Sequence, residues 1–297
     1  MTTMTTGTTD YPRLRYRILT HAVEIDVPDA AMRDAVARVL GHFTPDDGDA
    51  DDGGMATERV QYTLVRSSEQ RWMVSRSGSG FGTDTEMTSG LLALEWHLVT
   101  DALAKQTTFF HLHGAALATP GGQRSVLVVG ESGSGKTTLM LALMQRGFLP
   151  YSDDVALIEP ESLLLHPFPR AFHLREGTRA LLRERPDAPL GDFARLPPGF
   201  LLPPRYASAP APVRFVVFPS LRLGQPPEFV PLTPAESATM LLSQTLTLTG
   251  TPVLALGTAA RLTVAARCGR LFMGDLAATA DLVAALTTEG PAPSPAP

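Results

Sequence analysis

Eight consecutive residues, Gly130-Glu131-Ser132-Gly133-Ser134-Gly135-Lys136-Thr137, fit the pattern G-x-x-x-x-G-K-[ST] in full. They follow SVLVV (Ser125 to Val129), a continuous apolar run of the kind found in strands covered on both faces. They open the apolar stretch LMLALMQR, predicted to be a helix that stops at Gly147. The spacing has a physical cause. Glycines permit backbone angles that turn successive N–H groups inward, and the helix N-terminus adds its positive end, so phosphate oxygens can be held by fixed dipoles. Lys136 brings a full charge to the outer phosphates and Thr137 a hydroxyl suited to Mg²⁺. With Thr138, these residues predict a nucleoside triphosphate site inside an α/β fold.

Composition narrows what surrounds such a loop. The chain has 297 residues, 44% of them hydrophobic and 19% charged, enough apolar material for a core and too much for a disordered chain. Its 25 basic and 30 acidic residues give a net charge of −5, which supplies no basic face for a nucleic-acid backbone. One cysteine, Cys268, can form neither an internal disulfide nor a cysteine metal cluster. No stretch approaches the roughly 18 apolar residues of a membrane span. The threonine-rich start lacks a basic-then-apolar signal pattern. A cytoplasmic globular protein without membrane or nucleic-acid partners is expected.

Residues 1–10 and the proline-rich 290–297 read as disordered tails. Residues 11–108 read as a smaller α+β module. Leu14, Tyr16 and Ile18 alternate with arginines, Val23, Ile25 and Val27 repeat the period, and Asp29 can cap a helix with Met32, Val36, Val39, Leu40 and Phe43 on one face. Asp46 to Gly54 reads as a solvated acidic loop, Tyr62 to Arg66 with Trp72 to Ser75 as a hairpin, SGSGFG (77–82) as a turn, and Gly90 to Lys105 as a helix. Residues 109–289 read as the module carrying the loop. Between Pro186 and Pro234 lie 13 of the 26 prolines, so that region is expected to be largely irregular, with one strand from Val213 to Phe218. Thr233, Pro234 and Glu236 form a capping box opening a helix to about Leu246, and a last helix starts at Asp275.

What such a site does depends on its acids. The later strand VRFVVFPS ends in proline and serine, so no carboxylate follows it as in motor and switch ATPases. Asp153 and Asp154 instead stand 17 and 18 residues after Lys136, where one helix and a short return bring the chain back to the sheet edge. Two carboxylates there can divide the work, one taking a proton from an incoming hydroxyl and the other holding Mg²⁺. Ser-Asp-Asp equally suits a simple turn.

LHGAALA, GESGSGKTT, RGFLPYSDD and HPFPR together resemble the HPr kinase/phosphorylase superfamily, and more closely its HPr-kinase-like relatives in peptide-modification gene clusters, including lasso-peptide kinases. The likeness is good from about Leu112 to Arg175 and weaker through VRFVVFP, PLTPAES and GRLFMGDLAATADLV. It implies a P-loop kinase module similar to that of HPr kinase and phosphoenolpyruvate carboxykinase, transfer of phosphate from ATP with Mg²⁺ to a serine or threonine, and a homo-oligomer. It also implies roles: Lys136 and Thr137 for phosphate and Mg²⁺, Asp153 as the base, Asp154 as the neighbouring acidic residue, to which the Mg²⁺ side of the pair then falls, and His113 facing the site. Two features depart from the family. Thr138 stands where authentic HPr kinases carry Glu, and their later glycine- and arginine-rich signature is missing, so the likeness extends neither to HPr as substrate nor to the reverse phosphorylase reaction.

Of the other polar residues, His111 and His113 lie two apart and can share a face, a weak metal pattern without a third ligand. Arg170 and Arg175 flank His173, and Arg170 is the candidate for clamping phosphate or a substrate carboxylate. Cys268 reads as a packed small hydrophobe. The sequence thus points to a kinase acting on a hydroxyl, a serine of a precursor peptide or protein. A nucleotide-binding regulatory module and an NTPase that moves a partner are the rivals.

Overall fold

A computed structural model describes residues 12–46, 59–82, 85–184, 194–195, 199–246 and 252–288. Both expected tails, and most of the acidic loop after Asp46, fall outside them. The chain forms a mixed α/β structure in two compact units, one of residues 1–106 with 195–200, the other of 107–194 with 201–297.

The first unit is built on a six-stranded sheet in the order Thr44–Pro45, Leu14–Ile18, His21–Asp26, Val60–Arg66, Trp72–Arg76, Ser79–Gly82. Asp29 caps the helix Ala30–Val39, its carboxylate accepting from the Met32 amide at 2.8 Å. Val60–Arg66 and Trp72–Arg76 form the expected antiparallel pair. Three expectations are corrected. His21–Asp26 is buried on both faces rather than one, and its Glu24 is kept there by Arg13 and Arg15 at 2.5 and 2.9 Å. Asp46 is buried between Arg59, at 3.1 Å, and Arg17, at 3.5 Å, so it is no member of a solvated run. Within SGSGFG only Ser77 and Gly78 turn; Ser79–Gly82 is an edge strand.

In the second unit the central ladder is parallel: Ser125–Val129, Ala211–Leu221 and Arg267–Met273 lie side by side, with Val216 opposite Leu127 on one flank and Cys268 on the other. Alternation along Ser125–Val129 explains why its run is uniformly apolar. Val126 and Val128 pack with Leu139 and Leu143 of the helix Lys136–Met144 and with Val283 of the helix Leu276–Thr288. Leu127 and Val129 pack the opposite way, with Leu241 of the helix Pro234–Leu242 and with Ala259 and Leu262 of the helix Pro252–Ala265. Helices therefore cover both faces of this sheet. The capping box is present: Thr233 Oγ1 accepts from the Glu236 amide and Glu236 accepts from the Thr233 amide.

Residues 186–193 and 196–198 of the proline-rich stretch lie outside the described residues; the part from 199 on is more regular than expected. Its strand runs eleven residues, Ala211–Leu221, through Pro212 and Pro219, with further strands at Phe200–Leu202 and Glu228–Pro231. Pro219 is tolerated because pairing with Ser125–Val129 ends at Val217–Val128, before the ring that lacks an N–H. YSDDVALIE is not one strand but two, Leu149–Ser152 and Ala156–Ile158, interrupted at Asp153 and Asp154. Among the described residues no helix is long and apolar enough to cross a membrane.

Candidate functional site

The glycine loop leaves the carboxyl end of Ser125–Val129 and enters the helix Lys136–Met144 through Gly135. Gly135 has a φ of 92°, a backbone conformation that favours glycine, and a Cβ there would also meet the flexible end of Met273, Cε, at 2.6 Å. Gly133 also takes a left-handed φ of 88°. The loop borders a cavity of about 590 Å³ that takes in Lys136, Thr137, Thr138 and Asp154. Thr138 shares a hydroxyl–hydroxyl bond of 2.8 Å with Thr178, which ties the start of the helix Glu176–Glu184 to the loop helix.

Lys136 is buried. Its residue is only 5% accessible, and its ammonium donates to the carbonyls of Gly130 at 2.9 Å and Glu131 at 3.1 Å. The third contact is His113 Nε2 at 3.2 Å. Burial lowers the lysine pKa, opposed by the charges of Asp154 and Asp153. Burial and then Lys136 also lower that of His113. A neutral His113 satisfies both its contacts at once: Nδ1–H donates to the Asp154 carbonyl at 3.2 Å, leaving the Nε2 lone pair for the ammonium.

The acidic pair is brought to the loop, and its members differ. Asp153 is fully buried, with both carboxylate oxygens 3.1 Å from Thr137 Oγ1. Burial, reinforced by Asp154, raises its pKa. Asp154 has a left-handed φ of 62°, a conformation that costs a non-glycine residue about 1–3 kcal/mol. That kink breaks the strand and turns the side chain into the cavity, where its carboxylate lies 3.9 Å from His113 Nε2.

Arg170 does not occupy the place expected of it. It is buried, does not line the cavity, and reaches the acidic pair through a bond of 3.3 Å to the Asp153 carbonyl. The neighbouring arginine takes the open position: Arg175 is exposed at the cavity rim and donates to Ser132 Oγ of the loop. His111 lies buried in the strand Phe110–Leu112, with its pKa pushed down to about 4 by burial. Among the described residues no cluster of three or more His, Cys, Asp or Glu converges on a metal position. Cys268 is buried and its thiol pKa is pushed up to about 11.

Sequence reasoning missed the apolar lining of the cavity. Leu221, Leu223, Met273 and Leu276 form it, and Leu221 and Leu223 are 59% and 79% exposed. Exposed leucines at a strand end carry no pattern that marks them as a site. No protein-family model matches this chain, and no curated protein matches it.

Proposed function

We propose that this protein is an ATP/Mg²⁺-dependent phosphotransferase acting on a hydroxyl, in the manner of the HPr-kinase-like enzymes its loop and acidic pair resemble. The observation that carries the reading is the bond from Thr137 Oγ1 to both oxygens of a buried aspartate, at the start of a helix opened by a glycine loop. A glycine turn without a phosphate role has no need of a buried carboxylate on that hydroxyl.

The residues fit Mg²⁺. Thr137, Asp153 and Asp154 are hard oxygen donors, and Mg²⁺ takes one or two carboxylates with water and phosphate rather than an all-protein cage. A cation there also compensates the buried charge of Asp153. When bound, it neutralises charge on the phosphate oxygens. The geometry favours a division of labour opposite to that implied by the family likeness. Asp153 sits on Thr137 and belongs to the metal side. Asp154, in the cavity, is the group able to take the proton of an incoming hydroxyl. Lys136 supplies charge to the outer phosphates, and neutral His113 holds Lys136 and the Asp154 backbone in register. The apolar wall of Leu221, Leu223, Met273 and Leu276 offers the face against which a nucleobase packs.

The test is incubation with γ-labelled ATP, Mg²⁺ and a pool of serine-containing peptides. Label on peptide serine supports a kinase. Label released only as inorganic phosphate supports an NTPase, and bound ATP left intact supports a binding module; either overturns the reading.

A further inference from the structure

Among the described residues, two cations line the cavity beside the loop, Lys136 and Arg175. The third basic residue of the lining, His173, has its pKa lowered by burial. The two cations differ in what they can still donate. The Lys136 ammonium has three N–H groups and three contacts, the Gly130 and Glu131 carbonyls and His113 Nε2. Arg175 is exposed, and a guanidinium carries five N–H groups in a planar fork. One of them donates to Ser132 Oγ, an uncharged acceptor, and among the described residues Arg175 forms no ion pair.

The fold holds Arg175 against the loop. Leu174, just before it, is buried in the same apolar cluster as Leu139 of the loop helix. The Arg175 carbonyl accepts from the Arg179 amide at 2.9 Å, which opens the helix Glu176–Glu184, and the 2.8 Å bond from Thr178 to Thr138 pins that first turn. The guanidinium thereby reaches the tip of the loop: besides touching Ser132, its Nη1 lies 4.0 Å from where a Cβ of Gly133 would stand. Burial lowers the Lys136 pKa and the charge of Arg175 lowers it further, as expected of two cations near one space. The other arginines nearby are engaged elsewhere. Arg179 pairs with Glu176 at 3.3 Å, and Arg170 is buried on the Asp153 carbonyl.

We propose that Arg175 is a catalytic residue, gripping the oxygens of the γ-phosphoryl group while it is transferred. The proposal rests on the phosphotransferase reading. The bond formed is acceptor oxygen to γ-phosphorus, the bond broken is γ-phosphorus to the β–γ bridging oxygen, and the hydroxyl proton passes to Asp154. In transit, charge spreads over the three equatorial oxygens of the phosphoryl group. Asp154 lines the same cavity, so its carboxylate adds negative charge near those oxygens, and a second cation offsets it. A planar fork with unused donors can bridge two oxygens at once, which a point charge cannot. With the triphosphate seated, the guanidinium exchanges the neutral Ser132 hydroxyl for anionic oxygens, which are stronger acceptors.

The experiment measures single-turnover transfer from γ-labelled ATP to the serine-peptide pool, with Mg·ATP affinity alongside, for wild type, Arg175→Ala and Arg175→Lys. Arg175→Ala should slow transfer by about 10³, the lower end of the scale for an arginine serving a phosphoryl group, while Mg·ATP affinity holds. Arg175→Lys should recover only part of the rate, since its ammonium cannot bridge two oxygens. Millimolar guanidinium chloride should raise the rate of Arg175→Ala and not that of Lys136→Met. A residue that merely ties down the loop tip would behave otherwise: affinity and rate would fall together, and added guanidinium would restore neither. That result, or a wild-type rate in Arg175→Ala, overturns the proposal and leaves the kinase standing. No label on peptide with the wild-type protein overturns the phosphotransferase reading and this proposal with it.

Discussion

The hydroxyl of Thr137 lies 3.1 Å from each carboxylate oxygen of Asp153. One residue on, Asp154 turns away into the cavity through a left-handed backbone. Adjacent identical side chains therefore have different surroundings, and their substitutions should separate. Asp154→Asn should reduce phosphoryl transfer by about 10²–10⁴, the scale of losing a general base, with Mg·ATP binding retained. Asp153→Asn should raise the Mg²⁺ concentration needed for half-maximal rate. Single-turnover transfer measured against Mg²⁺ for both variants checks this, and the reverse pattern would return the base to Asp153.

Burial of Asp153 makes a prediction about pH. Its folded pKa is raised, so the folded state binds the proton more tightly than the unfolded one. The resulting stability is fully present below the ordinary value of 3.8 and is lost as pH rises through the higher folded value. Without Mg²⁺, urea midpoints should fall from about pH 5 to about pH 8, and Asp153→Asn should flatten that slope. Equal slopes for the two proteins would contradict the burial argument.

His113 predicts a second pH effect, on activity. Neutral imidazole accepts from Lys136 through Nε2; the protonated ring cannot. Because burial lowers its pKa, transfer should fall only as pH drops below the usual 6.5. In His113→Gln that limb of the rate profile should disappear, leaving a lower, flatter rate.

Part of this site was legible and part was not, for physical reasons. Lys136, Thr137 and the acidic pair could be read because phosphate binding demands fixed residue types at fixed spacing over a short stretch. The contrast between Arg170 and Arg175 was hidden, because which of two arginines five residues apart is buried depends on where the segment meets the rest of the unit. Helix Pro252–Ala265 escaped the sequence reading. Val253, Leu256 and Val264 leave its outer face apolar and 84%, 57% and 79% exposed, so periodicity has little contrast to report. The strand Ala211–Leu221 was under-read because proline argues against a central strand, and only the end of its neighbour's pairing makes Pro219 harmless.

Gly135→Ala tests the loop's packing apart from its chemistry. A left-handed alanine costs about 1–2 kcal/mol, and its Cβ would also crowd Met273 Cε. Tm should fall, and adding Met273→Ala should recover the part owed to crowding but not the part owed to the backbone. Full recovery would contradict a backbone requirement for glycine.

Calorimetric titration of Mg·ATP into wild type and Lys136→Met asks whether the loop holds a triphosphate, the methionine keeping the buried stem while removing the charge. Wild type should bind saturably and the variant should lose most of that affinity with unchanged circular dichroism, because the phosphates lose the buried cation on the loop. Wild-type affinity in Lys136→Met, or no binding to wild type, would contradict a triphosphate site on this loop.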